Sequence, residues 1–259
     1  MPEFISVSRD GPLTTITINR PVVANAMHAE AQFEMAAAFD EFAEDGSQWV
    51  AILTGAGDKA FCAGGDLKAL NRDGVTRRPK TGFGGLTARF DLDKPVIAAV
   101  NGLAMGGGFE LALACDLILA AERATFALSE PRVGLAALGG GLQRLAEQIG
   151  SKRALGLALT ARTVSAREGQ ALGFVNEVFD NDDLVPAAIR LGRAMCELAP
   201  LALRASKEVV YRSLEEPSLF AAFKAQRHYP AVKRMLDSED FREGPRAFAE
   251  KRPPRWKAR

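Results

Sequence analysis

The sequence predicts an α/β protein. Before Leu142 the order strand, loop, helix, strand recurs, and after it short amphipathic helices follow one another with few strands between them. A third observation is size: 259 residues with 47% hydrophobic side chains can bury the core of one large domain, or of a domain with an appendage.

Residues 4–9 and 13–19 alternate apolar and polar side chains around Asp10-Gly11-Pro12, the pattern of a β-hairpin. Asn25 serves as an N-cap for a helix running to Glu44, with Met27, Phe33, Ala37 and Phe42 on one face. Residues 49–54 make a short buried strand that stops at Gly55-Ala56-Gly57. Residues 71–85 are polar and interrupted by Asp73-Gly74, Pro79 and further glycines, which reads as a surface loop, either a lid on a neighbouring pocket or an inert connection. Residues 95–101 form a strand, 107–115 a helix and 116–121 another strand. Helices are then expected at 142–149, 152–159, 166–172, 183–198, 201–214 and 217–226, covering the sheet or building a subunit interface. This divides the chain into a core over residues 1–195 and a helical region over 196–259.

Composition excludes several kinds of chemistry. With 33 basic and 32 acidic residues the net charge is +1, which offers no general attraction to nucleic acid or to an anionic membrane. The only locally basic stretch is the tail from Lys251 to Arg259, read as a solvated end. No apolar run reaches membrane-spanning length, and the first residues carry no secretory signal pattern, so a cytoplasmic location is expected. Cys62, Cys115 and Cys196 show no C-x-x-C spacing, against a disulfide framework or a structural zinc site. The two histidines, His28 and His228, lie far apart and read as surface or capping residues, which leaves carboxylates and backbone amides as the chemical groups.

Two glycine runs stand out: Ala63-Gly64-Gly65-Asp66, and Gly106-Gly107-Gly108-Phe109-Glu110 at the mouth of a helix. Glycine lets a ligand approach the backbone, and the first N–H groups of a helix lack intrahelical partners at its positive end. Two such donors converging on one oxygen would stabilise charge developing there. Glu110, three residues past Gly107, would stand about one helical turn from that donor. Glycine runs also mark tight turns and close packing, so these motifs acquire weight only together.

Together they are specific. With 58–68 (Asp-Lys-Ala-Phe-Cys-Ala-Gly-Gly-Asp-Leu-Lys), 94–102 (Lys-Pro-Val-Ile-Ala-Ala-Val-Asn-Gly), 106–116 and the closing Glu250-Lys251-Arg252, the chain resembles the enoyl-CoA hydratase/isomerase (crotonase) family over nearly its whole length. Residues 82–102, Phe109-Glu110-Leu111-Ala112, Ser238-Glu239-Asp240 and the tail from Glu243 resemble most its carnitinyl-CoA dehydratase branch. The resemblance implies an α/β spiral of ββα units with a C-terminal helical region that makes trimers, often paired into hexamers. It implies that the N–H groups of Gly65 and Gly107 hold a thioester oxygen, and that Glu110 and Glu130 are the catalytic carboxylates. It places coenzyme A against Ala60, Ala63, Gly65, Asp66 and Leu67, with Lys59 and Lys68 near phosphates and Phe248 and Lys251 approaching the nucleotide from the C-terminal helix. Exposed lysines in polar loops are also commonly just solvated.

One stretch departs from the family pattern. Proline stands at Pro131 and is absent at Ala137, and Leu138 is apolar where a smaller or more polar group is usual. A relocated proline changes how the backbone aims Glu130. The function implied is reversible hydration of a trans-2-enoyl-CoA with no metal or redox cofactor, coenzyme A being part of the substrate. The alternatives are hydration of crotonobetainyl-CoA, double-bond isomerisation, or a non-catalytic acyl-CoA-binding role. The partners implied are the acyl-CoA and further copies of the chain, with no nucleic acid and no membrane.

Overall fold

A computed structural model describes residues 3–73 and 77–259. The expected hairpin forms from β1 (Ile5–Asp10) and β2 (Leu13–Ile18), antiparallel with Asp10 opposite Leu13. The first long helix, α1 (Ala29–Glu44), starts later than Asn25 allows, and His28 holds the N-cap position without a capping side-chain hydrogen bond. Asn25 is instead a fully buried turn residue at φ 57°. Its Oδ1 accepts the Arg20 N–H at 2.9 Å, and its Nδ2 donates to the Ala56 and Ala60 carbonyls at 3.0 and 2.7 Å. Asparagine tolerates this left-handed backbone and here satisfies three buried or part-buried main-chain groups, a tertiary role that outweighs its capping preference.

Three ββα turns follow. They are β3 (Val50–Gly55), β4 (Ala60–Cys62) and α2 (Leu67–Asp73); then β5 (Val96–Val100), β6 (Leu103–Met105) and α3 (Gly107–Ala114); then β7 (Leu117–Ala121), β8 (Thr125–Ala127) and, after a 3-10 turn at Glu130–Val133, α4 (Gly141–Ile149). In each turn the first strand joins a six-stranded sheet, ordered β1-β2-β3-β5-β7-β10, and the second joins a four-stranded sheet, β4-β6-β8-β9, where β9 is Val164–Ser165 and β10 Glu177–Phe179. Every pairing from β2 to β10 in the first sheet is parallel, as are β4 with β6 and β6 with β8. The chain therefore spirals from one sheet to the other. Each crossing brings a loop and a helix N-terminus to the same side.

Alternate residues of β3 serve the two faces of the larger sheet. Ala51 and Leu53 join a core with Met35 and Phe39 of α1 and Phe109 of α3, while Val50 and Ile52 join one with Leu184 and Ala188 of α7 (Leu184–Cys196). Strands buried on both faces read as continuous apolar runs, which is why the sequence pattern exposed them. The rings of Phe109, Phe126 and Phe174 stand 5.1–5.3 Å apart around the base of α3. Truncating one of these to alanine is worth about 3–5 kcal/mol of stability. Gly108 lies so near the Cys62 carbonyl that no Cβ fits, so α3 can rest directly on β4.

Two further expectations are corrected. The surface loop expected at 71–85 does not hold in its last part: Phe83, Gly84 and Gly85 are buried in a 3-10 turn, while residues 74–76 lie outside the described residues. At φ 58° and 68° these two glycines let the turn press onto α1 and α3: a Cβ on Gly85 would stand 2.5 Å from the Ala36 Cβ of α1, and one on Gly84 2.9 Å from Leu111 of α3. Nor is the basic tail a free end, although most of its residues stay exposed to solvent. Beyond α5 (Ser151–Thr160), α6 (Ala166–Leu172), α8 (Pro200–Glu215), α9 (Leu219–Ala225) and α10 (Pro230–Asp237), the tail folds back on α11 (Glu239–Ala249). Asp240 accepts the N–H groups of Lys257 and Ala258 at 2.8 and 2.9 Å, and Glu243 accepts the Arg255 N–H at 2.9 Å and the Arg252 guanidinium at 2.6 Å. Acidic residues of α11 and Glu250 pair with Arg252, Lys257 and Arg259, charge that reads as free in the sequence.

Candidate active site

The spiral sets the loop after β4 against the mouth of α3. Gly64, at φ +92°, sits so that a Cβ would be 2.7 Å from the Met105 carbonyl oxygen and 3.3 Å from the Gly107 nitrogen. Gly65 bridges Met27: Met27 N–H donates to the Gly64 carbonyl at 2.8 Å and Asp66 N–H to the Met27 carbonyl at 3.1 Å. In that pattern the N–H of Gly65 turns away from Met27, and among the described residues it donates to no protein acceptor. A Cβ on Gly65 would meet nothing within 4 Å. Gly106, at φ 52°, turns the chain into α3, and its carbonyl accepts the Phe109 and Glu110 N–H groups at 2.9 and 3.0 Å. The Gly107 N–H, first in the helix, is left without a protein acceptor among the described residues.

Both glycines line one cavity of about 270 Å³ together with Glu110 and Glu130. Glu110 is 4% exposed, and its Oε1 accepts the N–H groups of Gly139 and Gly141 at 2.8 and 3.0 Å. Gly141 is the first residue of α4, so the carboxylate stands at that helix's positive end. Burial nevertheless lifts the Glu110 carboxyl above the ordinary glutamate range, against the pull of those two N–H groups and of Arg78 and Arg144. Glu130 opens its 3-10 turn with one buried carboxylate oxygen, Oε2, unpartnered. Burial raises its carboxyl too, and the charge of Glu110 adds to the rise. Pro131 falls in the first turn, where a missing N–H costs no hydrogen bond, and Glu130 still faces the cavity.

Of the other residues singled out in the sequence, Ala63, Asp66 and Leu67 line this cavity. Asp66 pairs with Arg20 at 3.3 Å; burial opposes its charge, but the Ala69 N–H and Arg20 outweigh burial and hold the carboxyl low. Lys59 and Ala60 line a separate hollow beside Pro21 and Val22. Lys68 is exposed on α2, and Phe248 and Lys251 are exposed at the end of α11; the structure brings none of these three to the cavity. Leu138 lines the cavity rim, whereas Ala137 is buried. Among the described residues no cluster of three or more His, Cys, Asp or Glu side chains is placed to hold a metal ion.

His28 is not a surface residue. Its side chain is 14% exposed, its ring packs edge-on to Phe4 at 4.5 Å, and it lines the cavity with Nδ1 unpartnered. Burial and then Arg20 push its pKa down, keeping the ring neutral near pH 7. The residues that fasten Glu110 are also absent from the sequence reading. The run Gly139-Gly140-Gly141 ahead of a helix has the same form as Gly106-Gly107-Gly108, and that likeness was the available signal. Phe83, whose ring would meet a Cβ on Gly107 at 2.8 Å, and Arg77 and Arg78 complete the wall.

Comparison with known proteins agrees with this geometry. The family model described as Enoyl-CoA hydratase/isomerase matches residues 9–259. A carnitinyl-CoA dehydratase of Salmonella paratyphi A is 45% identical over 266 aligned positions, covering 100% of both chains. The crystal structure of an enoyl-CoA hydratase from Mycobacterium tuberculosis H37Rv superposes with a TM-score of 0.91 at 40% identity, covering 99% of each chain. A second, from Mycobacterium marinum, gives a TM-score of 0.92 at 41% identity over 100% of each. With its motifs, its spiral of ββα turns and full-length relatives all in agreement, the chain belongs to the enoyl-CoA hydratase/isomerase family.

Proposed function

We propose that the protein catalyses reversible addition of water to a trans-2-enoyl-CoA thioester. One observation carries this reading: two unpaired backbone N–H groups and two carboxyls of raised pKa line the same cavity. Attack of water on Cβ moves negative charge to the thioester oxygen. Donors already in place at Gly65 and Gly107 would stabilise that enolate-like transition state more than the ground state. Glu110, whose Oε1 is held by Gly139 and Gly141, leaves Oε2 to orient and deprotonate the water. Glu130 then exchanges the proton at Cα, its raised pKa suiting a group that must be protonated for part of the cycle.

The reaction needs no electron carrier, and the oxygen's charge is met by amides, so the proposal includes neither metal nor redox cofactor. Coenzyme A would enter past Ala63, Gly65, Asp66 and Leu67. Lys59, Ala60, Lys68, Phe248 and Lys251 are assigned to its outer parts on the resemblance alone. We further infer assembly into trimers or hexamers in the cytoplasm. The exposed Leu219, Phe220 and Phe223 of α9 and three free cysteines support assembly and a reducing compartment respectively. Light scattering of the purified chain tests the assembly.

The 45% identity with carnitinyl-CoA dehydratase favours crotonobetainyl-CoA as a second reading of the substrate. Incubation with a panel of 2-enoyl- and 3-enoyl-CoA thioesters in heavy-oxygen water, followed by product identification, tests the reaction class. Label in a β-hydroxyl is the expected result. A shifted double bond without label, or no turnover with any thioester, would refute it.

A further inference from the structure

The walls of the cavity carry charge that the chemistry just described does not use. Its carboxylates are already engaged: Asp66 pairs with Arg20, and Glu110 and Glu130 face the reacting carbons in the reading above. Arg77 and Arg78 line the same cavity, and among the described residues neither guanidinium lies within ion-pair distance of a carboxylate. Arg78 lies 5.9 Å over the ring of Phe83, and that ring backs Gly107. Arg77 lies 5.8 Å over Phe33 of α1. The charge of Arg78 acts on the Glu110 carboxyl, lowering its pKa against the effect of burial.

A quaternary ammonium group is recognised by an aromatic cage or a free carboxylate. The only aromatic rings lining this cavity among the described residues are Phe83 and His28, and Arg78 already covers Phe83. A cationic acyl end would meet two unneutralised guanidinium groups and no partner. An anionic end would meet two forked donors suited to a carboxylate.

Resting on the hydratase reading above, we propose that the acyl group this site accepts ends in a carboxylate, so that the substrate is the mono-CoA thioester of an unsaturated dicarboxylic acid. Arg77 and Arg78 are the residues that select it. The acyl end of crotonobetainyl-CoA, a trimethylammonium group, is disfavoured by the same pair.

The test compares kcat/KM for crotonyl-CoA, crotonobetainyl-CoA and the mono-CoA thioesters of pent-2-enedioic and hex-2-enedioic acids, with the wild type and with R77Q, R78Q and the double variant. The wild type is expected to prefer a dicarboxylic thioester, and its preference over crotonyl-CoA is expected to fall roughly 10- to 100-fold in the double variant, the worth of charge-assisted hydrogen bonds. Equal losses on both substrates, no loss, or a wild-type preference for crotonobetainyl-CoA would overturn the proposal. So would weaker inhibition by free coenzyme A in the variants, which would assign the arginines to its phosphates. Absence of turnover with every thioester refutes the hydratase reading. Calorimetric binding of glutaryl-CoA against butyryl-CoA then still decides the acyl preference, equal affinities overturning it.

Discussion

Replacing Glu110 by glutamine separates the chemistry of this carboxyl from its structural role. In the native site Oε1 accepts two backbone N–H groups, from Gly139 and Gly141, and in the proposed mechanism Oε2 takes the water. A glutamine amide oxygen can take the place of Oε1 and accept both. Two charge-assisted hydrogen bonds become neutral ones, a loss of roughly 1 kcal/mol each. Against this stands the desolvation of the charged form, which disappears with the charge. Since burial raises the folded pKa, the wild-type carboxyl contributes its stability below the ordinary glutamate range and loses it as pH rises through the shifted value. At pH 7 to 8 the ionised group therefore carries a penalty that glutamine removes. The two effects oppose each other, so any Tm drop at pH 8 should stay below the roughly 4–8 °C that weakening two such bonds alone would cost. Loss of the base should meanwhile lower kcat about 10²- to 10⁴-fold, equivalent to about 2.7–5.4 kcal/mol. Thermal unfolding at pH 4 and pH 8 alongside steady-state hydration of the best thioester measures both. Turnover within 10-fold of wild type, or a Tm drop beyond about 10 °C at pH 8, would refute the assignment.

Glu130→Gln should also lower kcat by about 10² or more, with the loss matched by slower exchange of the Cα proton into deuterated solvent; near wild-type turnover would remove Glu130 from the mechanism. The acid limb of the wild-type kcat/KM profile should lie above the ordinary glutamate range, because burial raises the carboxyl that must be ionised, and a limb at or below that range would contradict it. Gly141→Ala would place a Cβ 2.7 Å from the Glu110 Cγ, and a displacement of about 1 Å should cost about 10²-fold in kcat with a Tm drop of several degrees from overpacking; unchanged kcat would show that the carboxyl tolerates the shift. Glu243→Gln should release the C-terminal tail, seen as a red shift of Trp256 emission and faster tryptic cleavage after Arg255. In the wild type, Arg252, the Arg255 N–H and Arg246 hold this carboxyl well below the usual range, so its contribution is full above the ordinary glutamate range and is lost progressively as pH falls from there towards the depressed value. An unchanged emission spectrum would refute that tie.

The parts legible in the sequence were those with long periodic signals or dense motifs. The hairpin, α1, β3, β5 and α3 carry runs of alternating or helical-period apolar residues, and their observed bounds lie within a few residues of the expected ones. The second sheet was not visible, because β4, β6 and β8 are three residues each, too short for any period to register. Glycine runs pointed to Gly65, Gly107 and Glu110 because backbone exposure needs glycine wherever it occurs. What faces a cavity from a distant part of the chain leaves no such mark. His28 read as a surface or capping residue; it does stand at the N-cap position of α1, but the packing of Phe4 against its ring and the approach of residues 63–66 bury it in the wall. The tail misled for a related reason: its acidic partners stand on α11, and charge counted along a line says nothing of what folds back upon it.

The hold on Glu110 has an evolutionary corollary. Two peptide groups grip its oxygen, and no point substitution deletes a peptide N–H except one to proline. The acid's bearing is thereby shielded from drift in neighbouring side chains. Val133, Leu135, Leu138 and Arg77, around the same chamber, hang from the scaffold by their own side chains and can be exchanged singly. Such an arrangement lets a lineage retool the acyl groups it admits while the water's point of attack stays where it was.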